Sequence, residues 1–75
     1  MFKDLDVVVL TVDLPAYGLV KGDAGTIVDM HPGGGSFEVE FNDSLGRLVA
    51  MEPLGPAQVR PLGKNEVLVS RAKAA

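Results

Sequence analysis

Seventy-five residues suffice for one domain near the lower limit of a self-sufficient core, and are too few for two. Cysteine is absent, which excludes disulfide staples and thiolate metal sites, and a formal net charge of −3 disfavours phosphate backbones as partners. Hydrophobic residues make up 47% but aromatics only 5%, so the core has to be aliphatic, and its β-branched content favours strands.

The charge is uneven along the chain. Residues 1–62 hold four Lys/Arg against nine Asp/Glu, whereas residues 63–75 hold three against one. The body is acidic and the tail mildly basic. The longest apolar run, Val7-Val8-Val9-Leu10, is far short of a membrane span. Met1-Phe2-Lys3-Asp4 lacks the basic and long apolar regions of a secretory signal. The expectation is a soluble cytoplasmic protein.

In chain order, Leu5 to Val12 reads as a first strand, bounded by Asp6 and Asp13 and apolar on both faces. Val8 and Leu10 would face the core; Val7 and Val9 would face a loop, the tail or another subunit. Asp13 to Thr26 then forms a long connection. Pro15 restricts Leu14 to extended geometry, Gly18 and Gly22 permit left-handed turns, and Leu14, Tyr17, Leu19 and Val20 are too apolar to float in water. The connection is expected to fold over and close one end of a small barrel. Gly25 to Met30 is a second strand with Asp29 towards solvent. His31-Pro32-Gly33-Gly34-Gly35-Ser36 is a hairpin tip, since three glycines and a proline support no regular structure.

Phe37-Glu38-Val39-Glu40-Phe41 alternates strictly and is the clearest strand, with its glutamates in water. Asn42 to Gly46 is a turn cluster, and Arg47 to Glu52 a fourth strand in which Arg47 could meet Glu38 or Glu40 across the sheet. Pro53 to Pro56 breaks the sheet. Ala57-Gln58-Val59 forms a single 3₁₀ turn, and Arg60 to Leu62 a short last strand whose Pro61 places it at an edge or end. The fold class is therefore all-β: a small SH3-like barrel of about five antiparallel strands over residues 1–62, with a 3₁₀ turn before the last strand. Residues 63–75 form a C-terminal extension. Its Val67-Leu68-Val69 favours an added strand over a short helix capped by Asn65.

Asp6 to Leu10, Asp13-Leu14-Pro15, Gly18-Leu19, Lys21 to Val28, Phe37 to Phe41, Gly46-Arg47 and Gln58 to Pro61 together resemble a family of small, mostly bacterial domains, the uncharacterised domain-of-unknown-function family 4926. The resemblance covers about residues 5–62. It implies an SH3-like barrel of no assigned activity and supplies no functional residues. The glycine-rich tip, Gly33 to Gly35, departs from the family pattern.

Candidate sites have plain structural alternatives. A metal or acid–base site at His31 needs further convergent groups beyond Asp29 or Asp23, and a lone histidine in a turn is ordinarily solvated. Gly33-Gly34-Gly35 precedes a strand rather than the helix that a phosphate cradle requires. Glu38 and Glu40 read as a solvated strand face rather than a working carboxylate pair. Asp13 and Asp23 read as turn-fixing acceptors, or else as an acidic rim on a peptide groove. One tyrosine, Tyr17, and no tryptophan cannot build an aromatic platform for proline-rich peptides.

With one histidine and no nucleophile–base pair in view, the reading is not an enzyme, with no cofactor and no metal. It is instead a non-catalytic protein-interaction or assembly module, a homo-oligomer or an accessory domain of a larger complex. Tyr17, Asp13, Asp23, Val7, Val9, Val67, Leu68 and Val69 are its candidate surface. The alternative is a nucleic-acid-binding barrel of the KOW type, for which Arg47, Lys64, Arg71 and Lys73 are the available cations.

Overall fold

A computed structural model describes residues 2–66. Five strands run in chain order as β1 (Val7–Leu10), β2 (Ala24–Met30), β3 (Phe37–Asn42), β4 (Leu48–Leu54) and β5 (Val59–Pro61). They form one antiparallel sheet in the order β4-β3-β2-β1-β5. The last strand returns beside the first and stands at a margin of the sheet, where Pro61 is expected to place it. The ladder is open, with β4 and β5 at its margins. A 3₁₀ turn at Pro56–Gln58 precedes β5, and a second one at Pro15–Tyr17 lies within the long first connection, where the sequence reading placed only turns.

Period-two alternation sets the core. Phe37, Val39 and Phe41 of β3 are fully buried, and Val8, Leu10, Ile27, Ala50, Leu54 and Val59 join them on the same side. The packing is close enough to dictate Gly25. A Cβ there would lie 2.7 Å from Val39 Cγ1 and 2.8 Å from Phe41 Cε1, so β3 can lean over β2 only where β2 has no side chain. Phe2 packs on Phe37 with ring centroids 5.3 Å apart.

Several boundaries differ from the sequence reading, each for a local reason. β1 begins at Val7, not Leu5, because Leu5 sits at φ +70° and Lys3 to Asp6 close a turn through the Asp6 carboxylate. β4 passes through Pro53 to Leu54 instead of stopping at Glu52. Among the described residues its outer side has no partner strand, so a missing N–H donor is tolerated there. Val28 is skipped in the β2–β3 register, a bulge between Ile27 and Asp29. The second face of β1 is not an open surface: Val9 is only 2% exposed although it lies outside the main core cluster.

Residues 63–66 turn back onto β5, where Arg60 Nη1 and Nη2 donate to Glu66 Oε1 and Oε2 at 2.8 and 2.9 Å. The expected roles of Val67, Leu68, Val69, Arg71 and Lys73 lie outside the described residues. Among the described residues, no helix is long and apolar enough to cross a membrane.

Candidate functional site

The long connection between β1 and β2 is built from its own backbone bonds. Leu14 and Leu19 exchange bonds across the 3₁₀ turn, with Leu14 N donating to Leu19 O at 2.9 Å and Leu19 N to Leu14 O at 3.2 Å. Gly18 takes φ +68° to close that turn, the one left-handed position that the bridge demands. Leu19 is thereby driven into the core, with Leu14 packed beside it, so the connection does fold over and cover the core. Asp13 Oδ1 accepts from Lys21 N at 2.8 Å and Asp23 Oδ2 from Val20 N at 3.0 Å. The two carboxylates are turn-fixing acceptors, as the structural alternative anticipated.

Tyr17 stands at the rim of this connection, 41% exposed. Its hydroxyl donates to the Glu52 carboxylate of β4, and that bond with the nearby negative charge holds the phenol proton on beyond the usual tyrosine range. The contact ties the connection to the margin of the sheet. That margin is apolar: Leu48 is 59% exposed and Met51 47%, and exposed Leu45 precedes them in the turn.

At the β2–β3 hairpin tip the structure assembles what the sequence reading left apart. His31 Nδ1 lies 2.5 Å from Ser36 Oγ, and His31 Nε2 lies 3.1 Å from Glu38 Oε2. Backbone bonds from His31 N to Ser36 O and from Gly34 N to His31 O close the tip and bring the three side chains together. Glu38 and His31 are thus each engaged with another side chain while remaining part-exposed. Asp23 is instead engaged with Val20, and Asp29 faces Glu38 across the ladder. Among the described residues, no group of three His, Asp or Glu could hold a metal ion. The signal that was available is the spacing 31, 36 and 38 around a glycine-rich tip: a closed two-strand turn brings the first two together, and strand alternation places the third on the face they share.

Of the five Lys and Arg among the described residues, Arg47 and Arg60 are held in ion pairs. Arg47 does not reach Glu38 or Glu40; it folds back on its own turn, where Asp43 Oδ2 accepts from Arg47 Nε at 2.8 Å. The register explains the difference, since Glu38 faces Pro53 and Glu40 faces Met51, while the turn lies beyond Asn42. Backbone donation from Arg47, with help from Leu45, lowers the Asp43 carboxyl below its usual range. Glu66, bonded to Arg60 and to Gly63 N, is lowered to about 2, and Arg60 is raised in turn.

A family profile described as "Domain of unknown function (DUF4926)" matches residues 4–61. No curated protein and no solved structure matches.

Proposed function

The chain belongs to the DUF4926 family of domains of unknown function, and on that premise we propose that it is a cytoplasmic, non-catalytic protein-interaction or assembly module with an SH3-like chain path. One observation carries the reading: among the described residues the sheet ends on β4, with no strand paired to its outer side and with Leu48 and Met51 exposed along it, beside the Tyr17–Glu52 contact. An open strand margin presents unpaired backbone groups and accepts an extended segment of another chain, and the exposed side chains select that segment. Pro53 limits such pairing to the stretch before it. The segment comes from a second copy or from a larger partner. Nucleic acid is the weaker reading, because Arg47 and Arg60 are already paired with Asp43 and Glu66.

Size-exclusion chromatography with light scattering at high micromolar concentration tests the self-association form. A dimer that Met51→Lys converts to monomer, with an unchanged circular dichroism spectrum, supports docking at β4. A monomer that also retains no partner sensitive to Met51→Lys, in a pull-down from its native host, defeats the proposal.

A further inference from the structure

The hairpin tip carries a serine, an imidazole and a carboxylate in one line of contacts, and their order has a chemical consequence. An ionised carboxylate only accepts hydrogen bonds, so the neutral imidazole of His31 must hold its proton on Nε2, facing Glu38 Oε2 at 3.1 Å. Nδ1 is then left with its lone pair, and the group 2.5 Å away is Ser36 Oγ. The serine hydroxyl donates to a base that a third group orients, which is the arrangement that activates a hydroxyl nucleophile. The cluster is reachable: the His31 side chain is 33% exposed and that of Glu38 26%. A Cβ built at Gly33, Gly34 or Gly35 would meet nothing within 4 Å, so the approach beside Ser36 is uncrowded.

We propose that Ser36 is an acyl-accepting nucleophile for small activated acyl donors, esters and thioesters with good leaving groups. The reaction is a single transfer onto the protein, not turnover, and goes beyond the docking role without depending on it. Ser36 Oγ attacks the acyl carbon, and the Oγ–C bond forms as the hydroxyl proton passes to His31 Nδ1. The bond from the acyl carbon to the leaving oxygen or sulfur breaks, and its electron pair departs with the leaving group. His31 returns the proton to solvent. The products are an O-acyl Ser36, the leaving group as its anion and the proton released to solvent, with no change of oxidation state. The cluster supplies proton removal, a factor of about 10²–10⁴ when a base is well placed.

The test uses the full chain and p-nitrophenyl acetate at neutral pH. Tryptic cleavage after Lys21 and Arg47 yields one peptide that contains both Ser36 and Ser44, so fragmentation compares the two hydroxyls in the same ions. The expected result is acetylation of Ser36 at least about tenfold above Ser44. His31→Gln should bring Ser36 down to the level of Ser44, and Glu38→Gln should lower it by less. Melting curves of both variants establish that the fold persists, and the ratio in the unsubstituted chain needs no variant. Equal labelling of the two serines overturns the proposal, as does a ratio unchanged in His31→Gln, or an acetyl group found on the His31 ring and none on Ser36.

Discussion

The connection from Asp13 to Asp23 and the hairpin tip from His31 to Ser36 are both irregular segments fastened by side chains, but they are fastened to different things. In the first, the carboxylates of Asp13 and Asp23 accept from backbone N–H groups and Leu19 enters the core. In the second, side chains bond to side chains, and no residue of the tip belongs to the core cluster. A polar group that satisfies the backbone holds the fold together and is no longer free for other chemistry. One that meets another side chain keeps its chemistry. The connection is thus a structural plug with a rim at Tyr17, and the tip is where reactivity survives.

That contrast can be broken first at Leu19. Leu19→Ala should cost about 2–5 kcal/mol in denaturant-induced unfolding, the range for a buried leucine whose site cannot collapse. A loss below about 1 kcal/mol would mean that the connection is no plug. Next in size, Asp13→Ala and Asp23→Ala should each cost about 1 kcal/mol, as exposed bonds from backbone N–H to a carboxylate do. Hydrogen exchange should speed up at the Lys21 and Val20 amides. Ser36→Ala should change stability by about 0.5 kcal/mol or less, since the tip is half-exposed and its neighbours are already held by backbone bonds. A larger loss would make the tip a structural clamp and erase the contrast.

The smallest effect is spectroscopic. Tyr17 is the sole tyrosine and the chain has no tryptophan, so absorbance near 295 nm follows its ionisation directly. Its midpoint should lie above the ordinary value of about 10. Glu52→Gln should bring it back towards that value, because the hydrogen bond from the phenol to the Glu52 carboxylate is the largest cause of the shift. The sign follows from linkage: a folded-state value raised above the unfolded one gives stabilisation that is complete below about pH 10 and is lost as pH climbs through the folded value. An unshifted midpoint would detach the rim from β4 and weaken the docking surface drawn beside it.

Much of the contrast was readable from residues alone. Pro15, Gly18, Leu14 and Leu19 announced a connection that folds onto the core, and Asp13 and Asp23 announced turn acceptors. The spacing of His31, Ser36 and Glu38 around the glycine-rich tip is a signal in the sequence, but only a weak one, because a serine five residues from a histidine matters only once the tip closes. Val9 follows the expectation of burial on both faces of the first strand. Alternation put it on the face opposite Val8 and Leu10, against a loop, the tail or another subunit, and that face is covered at Val9.

Local physical chemistry, acting within a few residues, determined the all-β class, the strand alternation, the turns and the 3₁₀ turn before the last strand, since backbone preferences and side-chain period are properties of neighbouring residues. Tertiary structure alone decided what depends on distant partners. It placed β4 at the margin, where Pro53 is tolerated. It returned Arg47 to Asp43 instead of Glu38, and it required Gly25 beneath Val39 and Phe41. Register and close packing are set by which strands meet, and that is fixed only when the whole sheet forms.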